Sequence, residues 1–439
     1  MKKNKYNIIF KEFASQKLSP TKEEQDMVSS IYDAIKECLG DCFISGSYSR
    51  YTSIRPLHDL DIIFIAGNTE KDALPDPHDL LDSLHYLIQN TFVNPIKGDF
   101  SISKQSHSIT LDFGDSFAVD IVPCYRLEEK NEYGDSLFLA PEILKVGRSK
   151  RSSLYNDYSK NNKQIGWIKT DPKGYIKKAV DINETNDQFR KSVKLAKSWK
   201  NSCKKLNETF KLKSFHIEQA ISRLFIEKPD IELYDALFKF FFELPGLISC
   251  SQIPDRADKT INIDSYIDNL TVQEKNVILL ARDQFLYELE NMVNNGPLDP
   301  LFTPEKLVNK RFDKEQFLFD LGIPELSDPN LIFDVDGKLK HKKTGTFQLH
   351  AYDLSQKQGN VEIEREIDFY IKRNNTMCDY TLWKVKNSND CDQPRGEITE
   401  NKTLRSPEQT KYEGEHYVQC FAVKNGVCVA KSKIDVIIS

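Results

Sequence analysis

The feature that most constrains the fold is an Asp-x-Asp pair at the head of a strongly apolar run. Asp59 and Asp61 flank Leu60, and residues 62–65 are Ile, Ile, Phe and Ile. Side chains alternate along a strand, so both carboxylates face one side while Leu60 turns into the core. The stretch therefore predicts a sheet that is apolar on one face and acidic on the other.

A later apolar run carries one isolated carboxylate, Asp120, between Val119 and Ile121. An ionised carboxylate in such a strand is unfavourable unless a charged partner offsets its burial. Adjacent carboxylates repel each other unless a cation lies between them, and hard oxygen ligands suit Mg²⁺ or Mn²⁺. We predict that Asp59, Asp61 and Asp120 are catalytic and hold two such ions for an in-line displacement of pyrophosphate.

A Gly-Ser turn precedes the acidic pair and supplies a candidate phosphate site. Gly46 lets the backbone approach a phosphate closely, and the following amides, with the Ser47 and Ser49 hydroxyls, can donate to its oxygens. The chain has no Walker A sequence, so this would be a triphosphate site of another design. We predict that Gly46, Ser47 and Ser49 bind nucleotide.

Two residues further along have two interpretations each. Lys197 precedes Trp199 on a predicted helix, and Ser214 opens the next helix. One interpretation makes them a surface charge and an ordinary N-cap. The other has both gripping the β- and γ-phosphates of a nucleotide. The basic tract around them, 190–213, is either a solvated helix face or an activator surface.

The composition indicates a globular protein without a membrane span. The 439 residues are 29% charged and 39% hydrophobic, and no apolar run approaches the roughly 20 residues that a span needs. No signal peptide follows Met1, so we expect a cytoplasmic protein. The nine cysteines form no Cys-x-x-Cys pair, which argues against structural zinc and a disulfide framework. A net charge of −5 argues against wholesale nucleic-acid coating.

Periodicity and turn residues predict three domains: a catalytic lobe at 1–180, a helical lobe at 181–325 and a β-rich, sandwich-like domain at 330–439. A hairpin is expected at 108–123 and long loops over 145–188. The predicted helices cover 19–39, 76–92, 187–203, 214–226, 231–243, 271–294 and 303–321.

Several motifs together resemble a known enzyme group. They are ISGSYSRYT at 44–52, VDIVP at 119–123, TDP at 170–172, KSW at 197–199 and SF at 214–215. They resemble polymerase-β-type nucleotidyltransferases and, more narrowly, the bacterial relatives of cyclic GMP-AMP synthase and oligoadenylate synthase, which make second messengers in antiphage defence. The resemblance covers roughly residues 5–320.

This resemblance implies an α+β fold with a polymerase-β-like core, in which a mixed or antiparallel sheet packs on a spine helix beside a helical lobe. By the same resemblance, Asp59, Asp61 and Asp120 are the metal triad, and Lys197 and Ser214 become triphosphate ligands. The zinc ribbon of the animal DNA sensor is absent, so sensing of double-stranded DNA in that manner is not supported.

The C-terminal part is similar to the adenylyl/guanylyl-type sensor domain that follows some of these transferases. On that basis Trp383, Arg395, Tyr412 and His416 could line a site for a nucleotide ligand. The alternative makes the aromatic residues sandwich core and 395–397 a salt-bridged turn. Residues 388–391 depart from the pattern, since a Gly and an Ala are commoner there.

We therefore expect a template-independent nucleotidyltransferase that joins nucleoside triphosphates into a cyclic or linear oligonucleotide signal, which a downstream effector binds. One alternative is transfer of a nucleotide onto an RNA 3′ end or a protein hydroxyl. A second alternative, of a different class, is a nucleotide-sensing module without catalytic activity.

Overall fold

The computed structural model describes residues 2–70, 73–114, 117–144, 158, 164–290, 292, 297–307, 315–328, 330–340, 342–344, 347–349, 351–388, 391–400 and 408–439. The chain divides into two compact units. The first unit comprises Met1–Phe242, Ile253–Ile278 and Glu288–Leu307, and the second comprises Glu243–Gln252, Leu279–Tyr287 and Val308–Ser439. The three predicted domain boundaries remain a prediction.

A mixed sheet forms the centre of the first unit. Asp59–Asn68 runs parallel to Ala118–Lys130 and antiparallel to Cys42–Ile44, and the remaining pairs are antiparallel. Within the described part of the chain, the strand order along the main path of the sheet is Cys42–Ile44, Asp59–Asn68, Ala118–Lys130, Ile109–Asp112, Ser101–Lys104. Two further strands extend the sheet from Ala118–Lys130, first Ser136–Ile143 and then Ile165–Thr170.

Two helices cover one face of this sheet. Lys22–Leu39 begins with a capping box, in which Thr21 and Glu24 satisfy each other's backbone amides, and ends at Gly40. Pro77–Thr91 begins at Asp76, whose carboxylate accepts from the His78 amide. Their buried residues pack against Leu60, Ile62, Val119 and Ile121, which are at most 1% exposed. The opposite face carries Asp59, Asp61 and Asp120 at one end of these strands and a second apolar cluster, which includes Ile63 and Cys124, further along them.

Most of the predicted helices are present, and the helices Lys2–Phe13 and Gly46–Ser49 were not predicted. The predictions at 187–203, 214–226, 231–243 and 271–294 are confirmed within a few residues. The observed α-helices are Lys2–Phe13, Lys22–Leu39, Gly46–Ser49, Pro77–Thr91, Pro172–Thr185, Gln188–Leu206, Ser214–Glu227, Leu233–Leu247, Val272–Glu290 and Asp299–Phe302. Among the described helices, none combines the length and the apolarity needed to cross a lipid bilayer.

The prediction of loops over 145–188 is wrong for its second half. Ile165–Thr170 is a strand, and Pro172–Thr185 is a helix. Asp171 caps that helix, since its Oδ1 accepts from the Gly174 amide at 2.8 Å, and Pro172 suits the first helical position. Residues 145–157 and 159–163 lie outside the described part.

The helix predicted from 303 to 321 is also wrong. The observed α-helix is Asp299–Phe302, and Leu318–Leu321 is a single 3₁₀ turn. Thr303 has φ −138°, outside the helical region, because the residue before a proline is sterically driven away from helical angles. Residues 308–314 lie outside the described part.

The second unit contains the predicted β sandwich. One sheet orders its strands Tyr352–Asp353, Phe333–Leu339, Glu366–Asn374, Glu408–Gln409, and the other orders them Asn360–Val361, Val427–Ile438, Gly414–Lys424, Tyr380–Lys386, Ile398–Glu400. Lys342–Thr344 and Phe347–Leu349 form a separate pair. One apolar core joins the inner faces, with Val335 and Phe369 from the first sheet and Trp383 and Val418 from the second. The predicted α+β fold class is confirmed.

Candidate active site

The pairing register brings three carboxylates onto the exposed face of the central sheet. Asp61 lies directly beside Asp120 on the neighbouring parallel strand, and Asp59 lies beside Ala118. Residues that pair in register point to the same side, as do residues two apart on one strand. Asp59, Asp61 and Asp120 therefore share the face opposite the two packed helices.

The electrostatics of this face favour a cation. Burial, together with the charges of Asp59 and Asp120, raises the pKa of Asp61 to about 7. Burial also raises the pKa of Asp120, although a hydrogen bond from Thr110 Oγ1 to its Oδ1, at 2.5 Å, opposes the rise. A cation bound among these carboxylates would offset their mutual repulsion.

The residues fit divalent metal ions in their chemistry and placement. Three carboxylates on one face are the hard oxygen donors that Mg²⁺ and Mn²⁺ prefer. Within the described ranges, no group of three or more His, Cys, Asp or Glu side chains is arranged so that it could already hold a metal ion. The fit thus rests on the oxygen ligands that the three carboxylates offer, on the face that they share and on their mutual repulsion. To bind a metal with Oδ1, Asp120 would have to give up its hydrogen bond from Thr110.

Gly46 lies directly against this face. Its φ is +66°, and a Cβ added there would be 1.7 Å from Asp61 Oδ2. The Ser45 amide also donates to the Asp61 carbonyl at 2.7 Å. Glycine is therefore required at position 46 both by its backbone angles and by the adjoining carboxylate.

The two serines of the same turn have different roles in the local structure. Ser47 lies in the short helix Gly46–Ser49, and its carbonyl accepts from the Thr52 amide at 2.9 Å. The Ser49 hydroxyl donates to the Gly46 carbonyl at 3.1 Å and so closes the turn. Both serines lie in the turn whose Gly46 adjoins Asp61, and their role toward nucleotide remains a prediction.

Lys197 is buried in a charge cluster. Its Nζ donates to Glu218 Oε2 at 2.8 Å, to Thr52 Oγ1 at 3.0 Å and to the Thr52 carbonyl at 3.2 Å. Arg50 Nε donates to the other oxygen of Glu218. Burial would raise the pKa of Glu218, but Lys197 and Arg50 outweigh it and lower that pKa to about 2. Burial lowers the pKa of the Lys197 ammonium, and the charge of Glu218 opposes that shift.

This cluster, Arg50–Thr52–Lys197–Glu218, acts on the carboxylate face. Burial raises the pKa of Asp61, and the charges of Arg50 and Lys197 partly oppose the rise. Sequence reasoning missed Arg50 and Glu218. A signal for Glu218 was available, because it follows Ser214 by four residues and so lies on the same helix face.

Ser214 is the first residue of helix Ser214–Glu227, and its hydroxyl accepts from Lys200 Nζ at 3.1 Å. Burial, followed by the charge of Lys204, lowers the pKa of Lys200 to about 8, and Asp59 opposes that shift. Lys200 is thus within electrostatic reach of the carboxylate face. It was also missed, although it follows Lys197 by three residues on one helix face.

Two family models match the chain. Residues 1–136 match the Second Messenger Oligonucleotide or Dinucleotide Synthetase domain, and residues 312–439 match the Adenylyl/Guanylyl and SMODS C-terminal sensor domain. The two models match separate parts of the chain, its N-terminal and its C-terminal regions, and the resemblance inferred from its motifs is confirmed.

Two individual proteins are similar to parts of the chain at low sequence identity. A cyclic AMP-AMP-AMP synthase from Acinetobacter sp. (strain ATCC 27244 / 9458) is 25% identical over 190 residues, covering 41% of this chain and 45% of that protein. A CCA-adding enzyme from Methanocaldococcus jannaschii is 23% identical over 131 residues, covering 27% of this chain and 28% of that protein. The chain thus spans less than half the length of either relative.

A solved structure supports the fold. A chain in the E. coli MS115-1 CdnC:HORMA-deltaN complex superposes with a TM-score of 0.50 at 19% identity, covering 69% of this chain and 98% of that chain. At this identity the likeness concerns the fold alone.

Proposed function

We propose that the protein is a template-independent, metal-dependent nucleotidyltransferase that joins nucleoside triphosphates or their deoxy forms into a cyclic or linear oligonucleotide signal. The observation that carries the proposal is the register pair Asp61–Asp120, which with Asp59 forms an acidic face against the Gly46 turn. The similarity to a cyclic AMP-AMP-AMP synthase supports it. We place this activity in the cytoplasm and in antiphage defence, with a downstream effector that binds the product.

In the proposed reaction a hydroxyl oxygen attacks the α-phosphorus of a nucleoside triphosphate. The new O–P bond forms as the bond to the bridging α–β oxygen breaks, and pyrophosphate leaves with that oxygen. Bound Mg²⁺ or Mn²⁺, held by Asp59, Asp61 and Asp120, would supply positive charge to the triphosphate and activate the attacking hydroxyl.

The protein's own residues would position the triphosphate. Because Gly46 has no Cβ, the Asp61 carboxylate lies directly against the backbone of the turn, and a phosphate held at that carboxylate could approach the same backbone closely. Lys200 and Ser214 bring an ammonium group and a hydroxyl together at 3.1 Å, and both can donate to phosphate oxygens. Lys197 contributes its charge from within the cluster that also holds Arg50.

The test is pyrophosphate release from the full chain given all NTPs and dNTPs with Mg²⁺ or Mn²⁺, followed by mass spectrometry of the product. We expect Asp61→Asn to lower the rate by about a thousandfold, because it removes a charge that acts in the transition state. Asp112→Asn is the matched control. Asp112 is an exposed carboxylate on a neighbouring strand of the same sheet, and it accepts a turn amide from Gly114 at 2.9 Å.

Release of pyrophosphate that survives Asp61→Asn would contradict the proposed site. A wild-type chain that binds nucleotides but releases no pyrophosphate would instead favour the nucleotide-sensing alternative.

A second function is transfer of a nucleotide onto an RNA 3′ end, which the similarity to a CCA-adding enzyme favours. Labelled nucleotide retained on RNA after denaturation would indicate this activity, and label retained on protein would indicate transfer to a protein hydroxyl. Label found only in a small, soluble product would support oligonucleotide synthesis.

A nucleotide ligand for the C-terminal sensor domain belongs to the same proposal.

A further inference from the structure

The second unit contains a cavity of about 180 Å³ between its two sheets. One wall contains Ile367 and Phe369 from the sheet that also holds Phe333–Leu339. The other contains Val385, Val418 and Val436 from the opposite sheet. Two packed sheets lie about 10 Å apart, so a group that enters between them is flat and makes apolar contacts on both sides.

The size of the cavity limits the ligand. Since a water molecule occupies about 30 Å³, the space corresponds to roughly six waters. A heterocyclic ring system fills such a volume, whereas a dinucleotide does not fit inside it. Any larger ligand would therefore place a single ring in the cavity and leave its remainder at the mouth.

Polar groups at the mouth suit the edge of a heterocycle. Asn387, Gln393 and Gln409 line the cavity, and each carries an amide with a donor beside an acceptor. Asn387 Nδ2 donates to the Gln393 carbonyl at 2.8 Å, which holds the plane of that amide. Side-chain amides pair in this way with adjacent ring-nitrogen and amino groups of nucleobases.

His416 holds the mouth in shape. Its Nδ1 accepts from the Ser388 amide at 3.1 Å, and its Nε2 donates to the Tyr412 carbonyl at 2.9 Å. A neutral ring satisfies both bonds, and burial lowers the pKa of His416 accordingly. The ring thereby fixes the segments on which Asn387 and Tyr412 lie.

Positive charge also collects at the mouth. Arg395 Nη1 lies 2.8 Å from Glu408 Oε2, and its guanidinium is partly exposed. The Lys411 ammonium lies 5.2 Å from the centre of the Tyr412 ring. Two cations and one carboxylate line the same opening. A guanidinium fork and an ammonium group are the side chains that most often bind phosphate oxygens.

We propose that this cavity binds one nucleotide, with its base between the sheets and its phosphate at Arg395 and Lys411. The nucleotide is either a free mononucleotide or one residue of an oligonucleotide. The inference does not depend on the transferase activity, because all the groups involved lie in the second unit. Three of the four residues named from the sequence line the cavity, whereas Trp383 packs in the core and is 2% exposed.

The test is calorimetric titration of the full chain in EDTA, which removes the divalent ions that the transferase site would need. The probes are 5′-AMP, 5′-GMP, 5′-CMP and 5′-UMP, the matching nucleosides, ribose 5-phosphate and the linear dinucleotide pApA. We expect at least one mononucleotide or the dinucleotide to bind, its nucleoside to bind about tenfold more weakly, and ribose 5-phosphate not to bind. Preference for a mononucleotide over pApA identifies the free nucleotide as the source, and the reverse identifies an oligonucleotide.

Variants assign the binding to this cavity. Arg395→Ala and Lys411→Ala should each weaken binding by about tenfold, since each removes a charge-assisted hydrogen bond. Lys338→Ala, at an exposed lysine on Phe333–Leu339 that does not line the cavity, is the matched control and should leave binding unchanged. Val385→Phe, which narrows the cavity, should abolish binding in a chain whose thermal unfolding is unchanged.

The inference is overturned if none of the probes binds, or if ribose 5-phosphate binds as well as the nucleotides. It is also overturned if a nucleotide binds equally to wild type, Arg395→Ala and Lys411→Ala, because the binding would then lie elsewhere. Absence of pyrophosphate release would overturn the proposed transferase function and leave these titrations unaffected.

Discussion

Each unit of the protein buries a similar cluster of charges, in which one glutamate lies between two cations. In the first unit Glu218 lies between Arg50 and Lys197 and accepts a hydroxyl bond from Thr52 at 2.8 Å. In the second unit Glu315 accepts from Lys384 at 2.8 Å, from Arg282 at 3.4 Å and from the hydroxyl of Tyr417. In each cluster, burial would raise the pKa of the glutamate and the two cations lower it.

The neighbours of the two clusters differ. Arg50 and Lys197 partly oppose the rise that burial causes in the pKa of Asp61, so the first cluster is coupled to the carboxylate face. Lys384 instead faces aromatic rings, with its ammonium 5.0 Å from the centre of Phe317, and it donates to the Gln316 carbonyl at 3.3 Å. The second cluster therefore holds the segment that contains Glu315 and Gln316 against the strand Tyr380–Lys386. A buried ion cluster thus indicates a functional site only when other functional residues, such as the carboxylate face, lie next to it.

The largest expected effect comes from neutralising the two glutamates. Glu218→Gln leaves Arg50 and Lys197 without their carboxylate. Glu315→Gln leaves Lys384 without its carboxylate, while Arg282 keeps Asp283 at 2.8 Å. Each substitution breaks a buried ion pair and should lower the free energy of unfolding by about 3–5 kcal/mol. Only Glu218→Gln should also abolish pyrophosphate release. Urea unfolding followed by fluorescence, with activity measured where both variants are folded, would check this.

The claim that only the first cluster is coupled to the reaction would be contradicted if a folded Glu315→Gln chain lost pyrophosphate release as fully as Glu218→Gln does. In that case the second cluster would also be coupled to the reaction.

The two clusters also show what the sequence could and could not predict. Alternation along two strands was enough to place Asp61 and Asp120 on acidic faces, because that pattern is local. Their pairing in register is a long-range contact, which was inferred only from the isolated carboxylate. The burial of Lys197 against Glu218 depends on how two helices pack, and no local pattern contains that information.

The wrong predictions have equally local causes. The helix predicted from 303 to 321 took Thr303 and the following proline as a helix start, whereas the observed helix Asp299–Phe302 ends at Thr303. The loops predicted around Asp171 neglected a clear start signal, in which an aspartate precedes a proline. The roles of the site residues toward metal and nucleotide remain predictions.

The next effect concerns pH and compares a histidine in each unit. Burial lowers the pKa of His216 to about 3. Its Nδ1 lies 3.0 Å from the Tyr266 hydroxyl, which accepts from the Lys213 amide, and Asp264 lies 3.7 Å from its Nε2. Because the unfolded state takes up the proton near pH 6.5, stability is full above that pH and falls as the pH decreases toward 3.

Between pH 7 and pH 5 the loss from His216 should be about 2 kcal/mol. His216→Asn should remove this part of the pH dependence, as measured by urea unfolding at each pH. In the second unit, burial also lowers the pKa of the partly buried His416, and His416→Asn should remove a smaller part. An unchanged pH slope in His216→Asn would contradict the assignment.

The smallest effect tests how far the coupling of the first cluster reaches along its helix. Lys200 lies one turn beyond Lys197, donates to Ser214 at 3.1 Å and is within electrostatic reach of Asp59. If it holds the triphosphate, Lys200→Ala should raise KM for the nucleotide about tenfold, with little change in kcat or in stability, since one charge-assisted hydrogen bond is lost. Lys205→Ala, at an exposed position of the same helix, is the matched control. A fall in kcat at constant KM would instead place Lys200 in the reaction itself, and no change in either constant would confine the site to the carboxylates and the Gly46 turn.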